Sequence, residues 1–260
     1  MASISVVINT YNAQRVLKEC LSALDFADEI IICDMHSTDD TVKIAQEFGC
    51  KIIYHERADY AEIARNWAHS QISCDWLLVV DSDEIVPKEL AKYLKDFTEN
   101  KDGYTTLSFP IQDYVWGKPL NCMYRHSVKR FWKKGCAIYE THVHAGVKTL
   151  EGKDFKVNPK RKNLALKHYH VDSINSYLEK INRYTTLEQE RFKEKNTKFS
   201  VLKLFIRPIY EFIKIYFLKK GFLDGMPGFI FAVLHAQYKF IQHAKLYETE
   251  YKIKNPNLLY

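Results

Sequence analysis

The chain has 260 residues, 47% of them hydrophobic and 14% aromatic, which excludes a disordered segment and is enough for one large folded core or a core with an appendage. Its net charge of +6 is unevenly spread: residues 1–100 carry 9 basic against 18 acidic side chains, and residues 101–260 carry 29 against 14. The first part suits a soluble nucleotide-binding module. The second suits an anionic membrane surface or a phosphorylated acceptor; nucleic acid is set aside as a partner, because no binding motif accompanies the charge.

In chain order, Ile4–Ile8 is a β-branched run that predicts a strand, followed by a turn at Thr10-Tyr11-Asn12. The N-terminus lacks a basic segment and a long apolar run, so it reads as the start of the fold, not as a signal peptide. Val16, Leu17, Leu21 and Leu24 recur at helical spacing over Ala13–Leu24. Glu29–Cys33 is a second apolar strand ending at Asp34. Ser37-Thr38-Asp39-Asp40 offers caps for a helix over Thr41–Phe48, stopped by Gly49. Lys51–Tyr54 and Trp76–Val80 read as strands, and Tyr60–Gln71 and Pro87–Phe97 as helices, the last with Pro at its first turn. Strands that are apolar throughout and alternate with helices predict an α/β fold, a mostly parallel sheet covered on both faces. Beyond Gly103 the strands Tyr104–Pro110, Ser127–Lys133, Val143–Leu150 and Asn163–His168 are expected, then helices over Asp172–Lys193, Val201–Leu218 and Pro227–Leu246. The implied organisation is a catalytic domain over 1–170, with halves 1–100 and 101–170, and a helical region over 171–260.

Cys20, Cys33, Cys50, Cys74, Cys122 and Cys136 lack the close spacing of a metal knuckle or redox motif and read as buried free thiols in a reducing compartment. No apolar run reaches the roughly 18–20 residues of a membrane span. The most apolar stretch, 199–247, is broken by Arg207, Glu211, Lys214, Lys219, Lys220, Asp224 and Lys239. The expectation is a cytoplasmic protein that lies peripherally on a membrane. Phe199–Lys220 reads as an amphipathic helix, either on anionic lipid or packed on the rest of the protein.

In a parallel sheet, ligands sit beyond the carboxyl ends of the strands. Three such ends carry polar groups: Asn9-Thr10-Tyr11, Asp34, and Asp81-Ser82-Asp83-Glu84. Two carboxylates one residue apart suit a hard cation such as Mg²⁺ or Mn²⁺, which takes oxygen ligands and retains waters. The same acids could instead cap a helix or lie solvated in a loop. Asp34 could accept from a nucleobase or ribose, or cap the following helix. Arg65-Asn66 could reach a base or phosphates, or lie on an exposed helix face. Trp116 and Trp132 could stack on sugar rings or pack in the core.

Taken together, Val6-Val7-Ile8-Asn9-Thr10-Tyr11-Asn12, Ile30-Ile31-Ile32-Cys33-Asp34 with Ser37-Thr38-Asp39-Asp40-Thr41, Ala64-Arg65-Asn66, and Val80-Asp81-Ser82-Asp83-Glu84 resemble family 2 glycosyltransferases of the GT-A fold. Leu166-Lys167-His168-Tyr169, Tyr177, Tyr184, Arg207-Pro208, Gly221-Phe222-Leu223-Asp224-Gly225 and Gly228-Phe229 extend the likeness to the bacterial subgroup that includes lipopolysaccharide-core glucosyltransferases. The resemblance implies a UDP-sugar donor, inversion at the anomeric carbon, and a glycan or glycolipid acceptor. Asn9, Tyr11 and Asp34 would hold the uridine, Arg65 and Asn66 would line the nucleotide pocket, Asp81 would approach the ribose or metal, and Asp83 would bind the metal. Two departures stand out. Met35-His36 replaces a Ser-Gly pair, and Asp40 replaces a Gly. At the position where a Val-His-Glu supplies the proton acceptor, the chain has Val143-His144-Ala145. Candidate bases are then Glu140 and His144, with His142 and Asp113 behind them. Loss of the base would leave the alternative of a non-catalytic UDP-binding protein. His168 or His170 could add a metal or phosphate contact.

Overall fold

The computed structural model of the protein describes residues 2–56, 61–99, 103–140, 146–171 and 173–255. The chain groups into two compact units, Met1–Gln112 with Arg125–His168, and Asp113–Tyr124 with Tyr169–Tyr260.

The first unit is built on β1 (Ile4–Thr10), β2 (Glu29–Asp34), β3 (Lys51–Tyr54) and β4 (Trp76–Asp81), parallel in the order β3-β2-β1-β4. Between them run α1 (Gln14–Ser22), α2 (Thr41–Glu47) and α3 (Ala61–Ser70), and after them α4 (Lys88–Glu99). Successive side chains on a strand point to opposite faces. Ile4, Val6 and Ile8 therefore meet Leu17 and Leu21 of α1 and Leu90 and Leu94 of α4. Val7, Ile31 and Val79 meet Ala68 of α3 and Ile72 on the other face. The continuous apolar runs of the sequence are thus buried on both sides, as the α/β reading expected.

Past β4 the sheet becomes mixed. β8 (Arg125–Lys133) lies antiparallel to β4, and β6 (Tyr104–Val115), β12 (Leu166–Val171) and β5 (Glu84–Ile85) follow in that order. β11 (Lys153–Lys156) runs parallel to β6. β9 (Ala137–Tyr139) and β10 (Val147–Thr149) form a separate antiparallel ribbon. The strand expected over Val143–Leu150 survives as β10 alone, since 141–145 lie outside the described residues. β6 continues five residues past Pro110, and its register shifts between Phe109 and Ile111, where the proline has no N–H to give the ladder. All six cysteines are free, as expected.

In the second unit β7 (Lys118–Pro119) pairs with Tyr114 and Val115, and three helices follow: α5 (Ile174–Glu194), α6 (Val201–Ile213) and α7 (Gly225–Lys254). Ser173 caps α5 by accepting from the Ser176 N–H, and Ser200 caps α6 through the Lys203 N–H. α6 and α7 run antiparallel: Phe212 meets Phe229 at 6.0 Å between centroids, and Phe199, just ahead of α6, meets Tyr247 at 4.9 Å. Val115, Leu120 and Val171 pack with Tyr177, Ile215 and Phe231 in this unit's core. Among the described residues no helix is long and apolar enough to cross a membrane.

The glycine motif of the C-terminal half has a steric cause. Gly225 has φ +67° and ψ −147°, a region open essentially to glycine alone. A Cβ on Gly228 would sit 2.1 Å from the Gly221 carbonyl oxygen and 2.8 Å from Asp224 Cβ. Asp224, inside the same turn, accepts from the Asn121 N–H at 3.1 Å and the Cys122 N–H at 3.0 Å. Replacing Gly228 by alanine must push backbone against backbone and should cost about 3 kcal/mol, the upper part of the overpacking range. Urea unfolding of Gly228→Ala against wild type measures it; an unchanged midpoint would contradict the close approach.

Candidate active site

The carboxyl ends of β1, β2 and β4 are neighbours, with Asn9 opposite Asp81 and Thr10 opposite Asp34 in register. Asp34 is fully buried and accepts from Thr10 Oγ1 at 2.8 Å, the Ser37 N–H at 2.8 Å and Ser37 Oγ at 2.6 Å. Asn12 Oδ1 accepts from the Thr38 N–H at 2.8 Å, and Thr41 Oγ1 accepts from the Ala13 N–H at 2.7 Å. The Ser37–Thr41 segment therefore stitches the loop after β1 to the loop after β2. Beside it, the side-chain nitrogen of Asn9 is buried and has no hydrogen-bond partner among the described residues. Tyr11 is part-exposed at the same edge.

The two departures in this motif have different consequences. His36 has φ +59°, the left-handed conformation that glycine adopts at no steric cost. Its ring stacks on Tyr54 at 5.8 Å and lies 3.5 Å from the Glu56 carboxylate. Asp40 has φ −73°, where no glycine is needed.

Asp81 is gripped by two arginines. Its Oδ1 lies 2.7 Å from Arg65 Nη2 and its Oδ2 lies 2.7 Å from Arg130 Nη2. Arg130 also approaches Glu84 Oε1 at 3.4 Å, while Glu84 Oε2 accepts from the Asp81 N–H at 2.8 Å. Glu84 is fully buried and Arg130 nearly so. Burial raises the Asp81 carboxyl, but Arg130 and then Arg65 outweigh it and hold the group well below the usual carboxylate range. Burial pushes Glu84 up to about 7, with Arg130 opposing and Asp81 adding to the rise. Neighbouring His69 is driven down to about 3 by burial, with Arg65 and Arg130 adding, so its ring is neutral.

Asp83 takes a different environment. Its Oδ1 lies 3.4 Å from His168 Nε2, with about a quarter of its side chain exposed. His168 Nδ1 lies 3.0 Å from Arg125 Nη2. An arginine only donates, so Nδ1 accepts and Nε2 carries the proton facing Asp83. β12 and β5 pair His168 with Glu84 in register, which brings the histidine to the acidic triplet.

Asn66 uses both ends of its amide on one strand residue: Nδ2 donates to the Tyr139 carbonyl at 2.8 Å and Oδ1 accepts from the Tyr139 N–H at 3.0 Å. The Arg65 guanidinium lies over the Tyr139 ring at 5.2 Å. Tyr139 leads directly into Glu140, which is exposed and donates its N–H to the Gly146 carbonyl at 3.2 Å. His142, His144 and Ala145 lie outside the described residues, as does the side chain of His170. Asp113 belongs to the other unit. Trp132 is fully buried in the core, and Trp116 is part-exposed.

Sequence reading missed Arg130 and Tyr139, and it placed Glu84 in the strand-end motif without giving it a role. The signal for Arg130 is weak: β8 also carries Arg125, Lys129 and Lys133, and Arg130 differs from them only in standing directly before Phe131 and Trp132, where an arginine needs a buried partner. Its aim comes from a bulge: Leu107 pairs with Phe131 and Ser108 with Lys129, so Arg130 is the extra residue, free to turn toward β4.

Residues 5–148 match the family described as glycosyl transferase family 2, more than half of the chain, and the chain belongs to that family. A Rickettsia felis protein described as an uncharacterized glycosyltransferase is 30% identical over 98% of this chain and 93% of its own length. The lipopolysaccharide core biosynthesis glycosyltransferase LpsC of Rhizobium meliloti is 27% identical over 98% of this chain and 96% of its own. Among solved structures, glucosyl-3-phosphoglycerate synthase from Mycobacterium tuberculosis, in complex with Mn²⁺, UDP and glucosyl-3-phosphoglycerate, is 23% identical over 45% of each chain with a TM-score of 0.36.

Removing Arg130 leaves two buried carboxylates facing each other. Arg130→Met should cost about 3–5 kcal/mol in urea unfolding. Arg65→Met, which removes the more exposed partner, should cost less than half of that. Equal losses would contradict the central place of Arg130. Glu84 also predicts a pH dependence. With its folded value near 7 above the ordinary 4.5, the folded state holds the extra proton between them, and stability falls as pH rises through 7. The melting temperature in EDTA should therefore drop between pH 5.5 and 8, and Glu84→Gln should flatten the drop. A slope that Glu84→Gln leaves intact would rule out this group as its source.

Proposed function

We propose that the protein is an inverting, metal-dependent hexosyltransferase that moves a sugar from a UDP-sugar to a glycan or glycolipid acceptor in bacterial envelope polysaccharide synthesis, either lipopolysaccharide core or capsule. The observation that carries the reading is the pairing of Asp83 with His168 beside an Asp81 already neutralised by Arg65 and Arg130. Family membership supports transfer of a sugar, and the near full-length similarity to LpsC supports the envelope setting.

The donor set fits a hard divalent cation. Among the described residues no group of three His, Cys, Asp or Glu side chains is placed to cage a metal, so the protein would supply Asp83, with waters and substrate phosphates completing the shell, while the Nε2–H of His168 steadies the Asp83 carboxylate. Mg²⁺ or Mn²⁺ held there would supply Lewis-acid stabilisation of the diphosphate leaving group. Both Asp81 oxygens are taken by arginines, so Asp81 serves by fixing Arg65 and Arg130 at the strand end, and its partly exposed edge would be the part to meet the ribose. Arg65 adds positive charge at the diphosphate. Asn9 and Tyr11 offer a donor and an aromatic face to the uracil, and Asp34 holds the loop that carries them. Asn66 acts by pinning Tyr139, which sets the start of the segment containing Glu140 and His144.

In the transfer, the acceptor hydroxyl oxygen bonds to the anomeric carbon from the face opposite UDP. The bond from that carbon to the diphosphate oxygen breaks, and the hydroxyl proton passes to Glu140 or His144. Placement on the inner face of the cytoplasmic membrane would bring such an enzyme to a lipid-linked acceptor.

The test is metal-dependent UDP release from a panel of UDP-sugars, read with thermal stability. UDP and Mn²⁺ together should raise the melting temperature more than the sum of each alone, and one UDP-sugar should be hydrolysed slowly. Asp83→Ala should lose at least about 10²-fold in rate, the scale of a lost electrostatic partner at a reacting group. Binding of UDP without turnover of any donor would instead identify a non-catalytic UDP-binding protein. No response to UDP, metal or both would exclude either reading.

A further inference from the structure

The second unit carries a surface that the transfer reading does not use. Along α6 the side chains of Leu202, Phe205, Ile206, Ile209 and Tyr210 are all more than half exposed. At about 100° per residue they fill one continuous arc of the helix. Lys203 and Arg207, both exposed, border that arc on one side, and the side that holds buried Glu211 turns inward. The apolar surface continues past the helix end through Leu218 and Leu223, each 68% exposed, beside exposed Lys219 and Lys220. Soluble proteins rarely leave so many large apolar side chains contiguous and uncovered.

The charges say what covers it. Residues 201–233 contain only two acidic side chains, Glu211 and Asp224. Glu211 is buried and faces Lys214 at 3.2 Å and His235 at 3.7 Å. Asp224 is engaged by the Asn121 and Cys122 N–H groups. The exposed face is therefore apolar and cationic with no free carboxylate. A second copy of the same face would meet it with like charges. An anionic lipid surface meets the apolar arc with acyl chains and the lysines with headgroups.

We propose that the α6 face, extended through Leu218–Leu223, is the surface by which this protein lies on an anionic bilayer. The inference rests on exposure and charge in this unit and deepens the membrane placement proposed above, while its readout, pelleting with vesicles, can fail independently of sugar transfer. The test is sedimentation of the full chain with vesicles. Wild type should pellet with vesicles containing phosphatidylglycerol, far less with phosphatidylcholine alone, and less again as salt rises. Ile206→Glu with Ile209→Glu should abolish pelleting. Lys203→Glu with Arg207→Glu should weaken it by about tenfold or more on anionic vesicles only. All four positions are exposed, so near-ultraviolet circular dichroism and lipid-free UDP release should match wild type. Three results would overturn the proposal: wild type left in the supernatant with anionic vesicles, pelleting that survives the Ile206/Ile209 double variant, or a lipid-free dimer dispersed by that variant, which would make the face a subunit interface.

Discussion

The bond pair from Asp81 to Arg65 and Arg130 organises the whole of the candidate site. A carboxylate at the end of a buried strand would repel both a neighbouring Glu84 and any anion brought to that strand end. Two guanidiniums cancel that charge and leave the strand end able to accept an anion. The arrangement recruits distant parts of the chain: Arg65 from α3, Arg130 from a bulge in β8, and Tyr139 from β9 through its contacts with Arg65 and Asn66. A buried ion pair with poor geometry would be a liability, but 2.7 Å contacts on both oxygens make this one coherent. Asp83, two residues on, faces His168 instead.

Much of the parallel half was legible in the sequence because its physics is local. Apolar runs such as Ile30–Cys33 and Trp76–Val80 are too uniformly buried to be half-exposed strands, and the intervening helical spacing leaves a covered parallel sheet as the simple solution. The strand ends then had to carry the polar groups. Legibility stopped where partners are far apart in sequence. Arg130 meets Asp81 across 49 positions and His168 meets Asp83 across 85, and no periodicity announces either meeting. Asn66 shows the opposite difficulty. Its place beside Arg65 marks it as a nucleotide-pocket residue, yet its amide is spent on the Tyr139 backbone.

The glycine-rich motif between α6 and α7 illustrates a third situation. The pattern was visible, but its reason lies in the lack of room for a Cβ at Gly228 and in the backbone angle of Gly225, both set by the folded chain. The same holds for His36, where a departure from the usual glycine falls on a left-handed residue and is accommodated by stacking on Tyr54. The basic second part of the chain is divided between the two units, and in the unit that holds the helices the inward-facing acids leave the outer face of α6 apolar and cationic.

The division of labour between the two aspartates is the claim on which the account turns. Anomalous diffraction from crystals grown with Mn²⁺ and UDP measures it directly. The account predicts a manganese peak within about 2.2 Å of an Asp83 oxygen, a usual distance for a small divalent cation, with Asp81 still bridged by Arg65 and Arg130. A peak bound directly by Asp81, with either arginine displaced, would contradict it.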